Sequence, residues 1–160
     1  MVSMTRFTLT LLLLFCSINV LAHDYTHGHE ALQLFDEQGF ANAPAWVRGW
    51  IMFMGLTFLS GLLFIKNHAI ARWVVGGFVL GVIFVTGLAP LFDIPLLSGF
   101  IALCHLIFWS PGLYFLLTQR PFMGSKTPFA LWSGVMTGVI LFSFIFDIRD
   151  AALYLLHFVG

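Results

Sequence analysis

The sequence predicts an all-α integral membrane protein: a four-helix transmembrane bundle that follows an N-terminal signal peptide. Hydrophobic residues make up 60% of the 160 residues, charged residues make up only 9%, and the mean hydropathy is +0.99. A chain of this length cannot bury so much apolar surface in one small soluble core. We therefore expect lipid to surround most of the chain, which makes the bilayer its first predicted partner.

The signal peptide is predicted over residues 1–22. Arg6 provides the positive start, residues 7–20 form an apolar stretch, and residues 20–22 suit a cleavage site. An uncleaved signal anchor is the alternative, and both alternatives leave residue 23 outside the cytoplasm. Residues 23–45 are then expected to form a histidine-containing outer tail with a short interfacial helix over residues 31–42.

Four apolar stretches lie beyond this tail, within a predicted transmembrane domain of residues 46–147. Each is close to the roughly 20 residues that an α-helix needs to cross the hydrocarbon layer. The remaining segment, residues 148–160, is too short to cross again. It is expected to lie on the outer surface or to extend the fourth helix. The predicted spans are 46–65, 71–90, 96–117 and 128–147.

The charges predict the orientation of the bundle. Positive residues flank the first and third connections between spans, whereas the connection between Pro90 and Pro95 has none. The positive-inside rule places the first and third connections in the cytoplasm, so both termini and every acidic residue fall outside. We expect a multi-pass protein of a bacterial inner membrane. Four tryptophans near predicted helix ends agree with interfacial positions: Trp46, Trp50, Trp73 and Trp132.

The formal net charge of +0 argues against one large class of partners. No run of lysine and arginine provides a polyanion-binding surface. Nucleic acid is therefore excluded as a partner.

The two halves of the bundle share short motifs. "FLSGLLF" at 58–64 resembles "FWSPGLYF" at 108–115, and "GFVLGVI" at 77–83 resembles "GVMTGVI" at 134–140. These echoes suggest two repeated helical hairpins. The glycine pairs, four residues apart, are typical of close helix packing in lipid, either within the bundle or at a homodimer seam. Other membrane proteins are further candidate partners.

His105 is the most informative residue inside the predicted spans. Ionisable groups at such depth often mark a functional site, and Pro111, six residues further along, is expected to free a backbone carbonyl one turn before it and to bend the helix nearby. A neutral histidine hydrogen-bonded across helices is one interpretation. Contact with haem or quinone in a membrane redox enzyme is another, with Met136 as a weaker axial ligand.

The tail "HDYTHGHE" predicts a metal site. If the signal is cleaved, the free amine and imidazole of His23 can chelate one ion, and His27 or His29 can add a nitrogen ligand suited to copper or zinc. Asp93 and Asp147 are expected on the same side of the membrane as possible oxygen ligands. A solvated tail and a pH-responsive histidine cluster are the alternatives.

Arg149 is one of two positive side chains expected outside, and we expect it to pair with Asp93 of the other half.

Two classes of function follow from all these patterns. The first is a non-enzymatic accessory or assembly factor whose acidic, histidine-bearing outer face binds a metal cation or a partner. The second is a haem- or quinone-contacting subunit that uses His105.

Overall fold

A computed structural model of the protein describes residues 31–124 and 126–159. The signal peptide and the tail histidines lie outside these residues, so both stay predictions. Helices account for most of the described chain. They are α1 (Glu37–Asn42), α2 (Ala45–Ser60, continued by a 3₁₀ turn over Gly61–Leu63), α3 (Ala69–Leu91), α4 (Ser98–Gln119, followed by a 3₁₀ turn over Pro121–Met123) and α5 (Pro128–Val159).

Helices α2 to α5 are each long and apolar enough to cross a membrane, which confirms the four spans expected from the sequence. The largest difference in bounds is in α5, which continues to Val159 instead of ending near residue 147. No glycine or proline interrupts the chain between Val139 and Val159, so nothing stops the helix earlier. Residues 148–159 therefore extend the fourth helix.

The bundle has two chemically different ends. Residues 31–35, 96–99 and 150–154 meet at one end, where all the described carboxylates lie, and we call it the acidic end. At the opposite end, His68 stacks on Phe129, and the ring of Phe64 packs against both. This second end carries most of the basic side chains, and we call it the basic end. Its members are Lys66, Arg72, Arg120 and Lys126.

The helix expected over residues 31–42 forms only over Glu37–Asn42. It begins at Asp36, whose side chain accepts a hydrogen bond of 2.7 Å from the backbone of Gly39. Residues 31–35 instead run antiparallel to residues 96–99. The carbonyls of Gln33 and Ala31 accept hydrogen bonds from the amides of Ser98 and Gly99 at 3.0 and 2.7 Å. This segment thus satisfies N–H groups that the start of α4 would otherwise leave without partners.

Helix packing is uneven. Helix α4 packs closely along α5 and α3, whereas α2 makes far fewer contacts with the rest of the bundle. The closest approach of α3 to α4 is at Gly77, where an added Cβ would overlap the carbonyl oxygen of Phe108. On α5, Gly138 has no described atom within 4 Å of such a Cβ. The homodimer seam stays a prediction.

The two helical hairpins, α2 with α3 and α4 with α5, differ in detail. Helix α3 contains a π-helical turn over Phe84–Leu88, whereas α5 is α-helical throughout. Their packing differs as well, because α4 and α5 contact each other far more than α2 and α3 do. The repeat therefore stays a prediction.

Trp132 lies near the start of α5, as expected, but it is buried within the bundle. Its side chain is only 7% exposed, and its indole N–H donates a 3.1 Å hydrogen bond to the carbonyl of Thr57. This bond joins α5 to the loosely packed α2. Trp46 and Trp73, in contrast, are about half exposed near the ends of their helices.

Candidate ligand-binding site

The site is built around a pair of ionisable side chains from the two most closely packed helices. His105 of α4 and Asp147 of α5 lie opposite each other, and Nδ1 of the imidazole is 3.3 Å from both carboxylate oxygens. The side chains are 24% and 13% exposed, so the pair is largely removed from solvent. The Asp147 side chain in this position fixes the orientation of the imidazole ring, and the tautomer of the ring decides which nitrogen donates.

Aromatic packing holds the imidazole in place. Trp109, one turn further along α4, stacks on the ring of His105 with 3.9 Å between centroids and 18° between planes. Trp109 is itself buried, and its ring packs against Phe58 of α2 at 4.7 Å. One face of the imidazole is thus covered by protein. No described residue forms a hydrogen bond with Nε2.

A cavity of about 240 Å³ opens beside the pair, between α2 and the close-packed α4 and α5. It exists because α2 makes few contacts with α4. Apolar and aromatic side chains form most of its wall, and the polar groups are few and concentrated toward the acidic end. The aromatic residues are Phe35, Trp46, Trp50, Phe142 and Phe146.

A second ion pair lies at the rim of this cavity. Arg149 donates from a guanidinium nitrogen to a carboxylate oxygen of Asp150 at 3.2 Å, and both side chains contribute to the wall. The expectation that Arg149 pairs with Asp93 is therefore wrong. Arg149 thus pairs with the residue that follows it in the sequence, and its side chain is 46% exposed. Asp93 is exposed in the turn after α3.

A second cavity, of about 260 Å³, lies between α2, α3 and α4. Four residues line both cavities: Phe35, Met54, Ile101 and His105. The second cavity is more apolar, and the π-helical turn of α3 contributes Val85 and Thr86 to its wall. The hydroxyl of Thr86 is already committed to the carbonyl of Val82 at 2.8 Å. His105 therefore lies where the two cavities meet.

The structure brings some of the predicted site residues together and separates others. His105 and Asp147, expected in two different sites, form one pair. Met136 lies eleven residues before Asp147 on the same continuous helix, about 16 Å away along its axis. Its side chain is fully buried in the core with Phe58 and Ile140. Met136 and His105 consequently do not converge on one ligand.

The remaining metal candidates are spread along the chain. His23, His27 and His29 lie outside the described residues. Within residues 31–124 and 126–159, no three histidine, cysteine, aspartate or glutamate side chains are grouped so that they could hold a metal ion. Asp93 and Asp147 therefore do not belong to any group of three such side chains within these residues.

The His105–Asp147 pair was not predicted, although one feature of the sequence indicates it. Asp147 follows an apolar run and precedes "AALYLLHFV", so an unbroken helix places its carboxylate within the apolar helix and not after it. A carboxylate in such a segment is expected to seek a polar partner on a neighbouring helix. Among the residues of the neighbouring span, His105 was the evident candidate.

Comparison of the chain with protein-family models, curated proteins and solved structures found no match. The function is therefore argued from the site. Its chemistry consists of one imidazole held by a carboxylate, a mainly aromatic wall, and two acids that each have a basic partner. Such a cavity suits a small ligand with an apolar body and one or two hydrogen-bonding groups.

Proposed function

We propose that this chain is a small non-enzymatic membrane protein that binds a neutral, partly apolar ligand in the cavity walled by His105 and Asp147. The observation that carries the proposal is the position of this pair on the wall of an otherwise largely apolar cavity. The ligand's apolar part would contact the aromatic wall. Its polar part would hydrogen-bond to Nε2 of His105, the ring atom that no described residue uses.

The pairing of the wall carboxylates supports a neutral ligand over a cationic one. Asp150 pairs with the guanidinium of Arg149, and Asp147 contacts the imidazole of His105. Aromatic ring faces attract organic cations, but burying a cation also calls for a carboxylate that can pair with it. Both carboxylates on this wall already have a partner within the protein.

The loosely packed α2 supports entry from the membrane. This helix forms one side of the cavity, and its other contacts with the bundle are few. A ligand dissolved in the lipid would reach the site when α2 moves slightly away from α4. We propose that the acidic end, and with it the cavity, faces outward from the bacterial inner membrane, following the positive-inside rule. The protein would then present or store its ligand for a partner.

Analysis of co-purified small molecules tests this function. The protein is purified in mild detergent and extracted with organic solvent, and the extract is examined by mass spectrometry. We expect a lipid-soluble molecule at a stoichiometric level, and its loss from a double variant, His105→Phe with Asp147→Leu. This double variant preserves bulk and removes both polar groups together.

His68→Phe is the matched control for this experiment. His68 also stacks on an aromatic ring, Phe129 at 3.6 Å, but lies at the basic end and lines neither cavity. The His68→Phe protein should retain the co-purified molecule at the wild-type level. Equal retention by all three proteins, or equal absence from all three, would overturn the proposed function.

Metal binding is a second candidate function, and one distance favours it. Two ligands on a tetrahedral zinc, each roughly 2 Å from the metal, lie roughly 3.3 Å apart. Nδ1 of His105 and each oxygen of Asp147 have this separation. The missing ligands would have to come from outside the described residues, and the tail histidines His23, His27 and His29 are the candidates.

Elemental analysis for copper, zinc and iron tests this alternative. The tag-free mature protein is dialysed mildly without chelator before measurement. Under the metal hypothesis, the wild-type protein contains near-stoichiometric copper or zinc. This metal is lost when alanine replaces the three tail histidines, and it is also lost in His105→Phe. Metal content that does not change in either variant would contradict it.

A further inference from the structure

We infer that the ligand is an isoprenoid quinone, with its ring in the cavity beside His105 and Asp147 and its tail in the second, apolar cavity. This inference rests on the proposed function and names the class of its ligand. Three independent features carry it: the size of the first cavity, the hydrogen-bonding capacity of the imidazole, and the connection to the second cavity.

The size of the first cavity suits one substituted six-membered ring. A cavity of about 150 Å³ in a protein core is enough to bind benzene. The cavity beside His105 holds about 240 Å³, which leaves room for substituents on such a ring. Its aromatic wall, including Trp50 and Phe142, whose rings pack edge to face at 4.6 Å, favours a flat ring with a π system.

The imidazole can recognise both oxidation states of a quinone. With Nδ1 held by the Asp147 carboxylate, Nε2 of a neutral ring accepts a hydrogen bond from a hydroxyl group. In the other tautomer, Nε2 carries the ring hydrogen and donates to a carbonyl oxygen. A ligand that presents a hydroxyl in one state and a carbonyl in the other fits this pair. The inference concerns binding of both states.

The tail has a continuous apolar path. Met54, Ile101 and Phe35 line both cavities together with His105, so a chain attached to the ring passes directly from one to the other. The second cavity is walled by apolar side chains of α3, among them Phe78, Val82 and Val85. The π-helical turn at Phe84–Leu88 lies at this wall. Such turns occur frequently at functional sites.

Tryptophan fluorescence provides the assay, because quinone rings quench indole emission on contact. Trp46 and Trp50 line the first cavity, and Trp109 stacks on His105, whereas Trp73 and Trp132 line neither cavity. The purified full chain in detergent is titrated with a benzoquinone that carries a decyl tail, with its quinol, and with the same quinone without the tail. We expect saturable quenching by the tailed quinone and quinol, and about tenfold weaker binding of the tail-less ring.

Substitutions at the ring site should weaken every probe. In His105→Phe, loss of one hydrogen bond to an ionisable group raises the dissociation constants by about tenfold or more. In His68→Phe the dissociation constants stay within about twofold of wild type.

Ile51→Phe provides a second variant in case His105→Phe does not fold, because Ile51 lines the cavity from the loosely packed α2. Leu56→Phe, at an exposed position on the same helix that lines neither cavity, is its control.

A substitution in the second cavity separates ring from tail. Gly81 lines that cavity, and an added Cβ there would meet only ordinary contacts, with Phe108 at 3.7 Å and Trp109 at 3.8 Å. Gly81→Leu should weaken the tailed probe and leave the tail-less ring unchanged. Gly76→Leu, on the same helix in open space, should affect neither.

Two outcomes distinguish failure of this inference from failure of the proposed function. Quenching that is unsaturable, or equal in His105→Phe and His68→Phe, overturns the quinone assignment. If the purified protein nevertheless retains another lipid that the double variant loses, the proposed function stands with a different ligand. If no such lipid is found, both fail together.

Discussion

Nδ1 of His105 lies 3.3 Å from each carboxylate oxygen of Asp147, although 42 residues separate the two in the sequence. Each side chain is the polar partner of the other in a largely apolar part of the bundle. The contact also fixes the register between α4 and α5, since polar side chains in lipid must meet to be satisfied. It therefore combines a structural role with the proposed functional one.

Replacing one member of this pair should lower the free energy of unfolding more than replacing both members together. His105→Leu leaves the Asp147 carboxylate without its partner, and we expect a loss of about 2–3 kcal/mol in the free energy of unfolding. The double variant His105→Leu with Asp147→Leu should recover about 1 kcal/mol or more of that loss. Reversible unfolding in mixed detergent micelles measures both. A double variant less stable than either single variant would contradict the expectation.

Alanine substitutions at two adjacent glycines of α3 should have different effects on the stability of the protein. A Cβ at Gly77 would overlap the Phe108 carbonyl, so Gly77→Ala must push α3 away from α4 at a cost of about 1–3 kcal/mol. Gly76 faces open space, and Gly76→Ala should be neutral or stabilise the helix by up to about 1 kcal/mol. Thermal midpoints in detergent test the pair. Equal midpoints for the two variants would argue against the close contact between α3 and α4.

The hydrogen bond from Trp132 should contribute measurably to the attachment of α2. Trp132→Phe keeps an aromatic ring but removes the N–H that reaches the Thr57 carbonyl at 3.1 Å. We expect a loss of about 1 kcal/mol, together with faster amide exchange in the second half of α2. Trp73→Phe, at a half-exposed position, serves as the comparison and should change the stability little. The same exchange rates in both variants would show that this bond does not hold α2.

Asp93 has a backbone role that its side-chain chemistry does not suggest. Its φ angle is 52°, in the left-handed region that glycine tolerates best. Asp93→Gly should therefore be neutral or slightly stabilising, whereas Asp93→Val should cost about 1–2 kcal/mol. If Asp93 were instead a metal ligand, as the sequence had suggested, both substitutions would reduce metal content equally. Thermal midpoints and metal analysis of the two variants separate the roles.

Cysteine labelling tests the proposed orientation. Single cysteines are placed at the exposed positions Glu37, at the acidic end, and Lys126, at the basic end. A membrane-impermeant thiol reagent added to intact cells should label position 37 and leave position 126 unmodified until the cells are broken. Cys104 is buried and contributes little background. Labelling of position 126 in intact cells would reverse the orientation.

The sequence was sufficient to predict the four spans, because hydropathy over about 20 residues is a local property. The pairing of His105 with Asp147 was not predicted, since it depends on the rotation and register of α4 against α5. Those quantities arise from contacts such as that of Gly99 with the Asp150 carbonyl and Tyr154, which no local pattern encodes. The backbone structure of the first described residues was even harder to predict from the sequence. Leu32 and Leu34 resemble part of an amphipathic helix, yet their backbone pairs with residues at the start of α4.

The cavity beside His105 is walled by the first and the last of the four spanning helices together with the third. Helix α2 is synthesised before α4 and α5, so the wall of the cavity is complete only after α5 has been made. The cavity thus does not form on a chain that stops before α5, and a ligand bound there would report that all four spans have been made and inserted. A ligand required for stability would in this way protect finished molecules and leave unfinished ones open to membrane proteases.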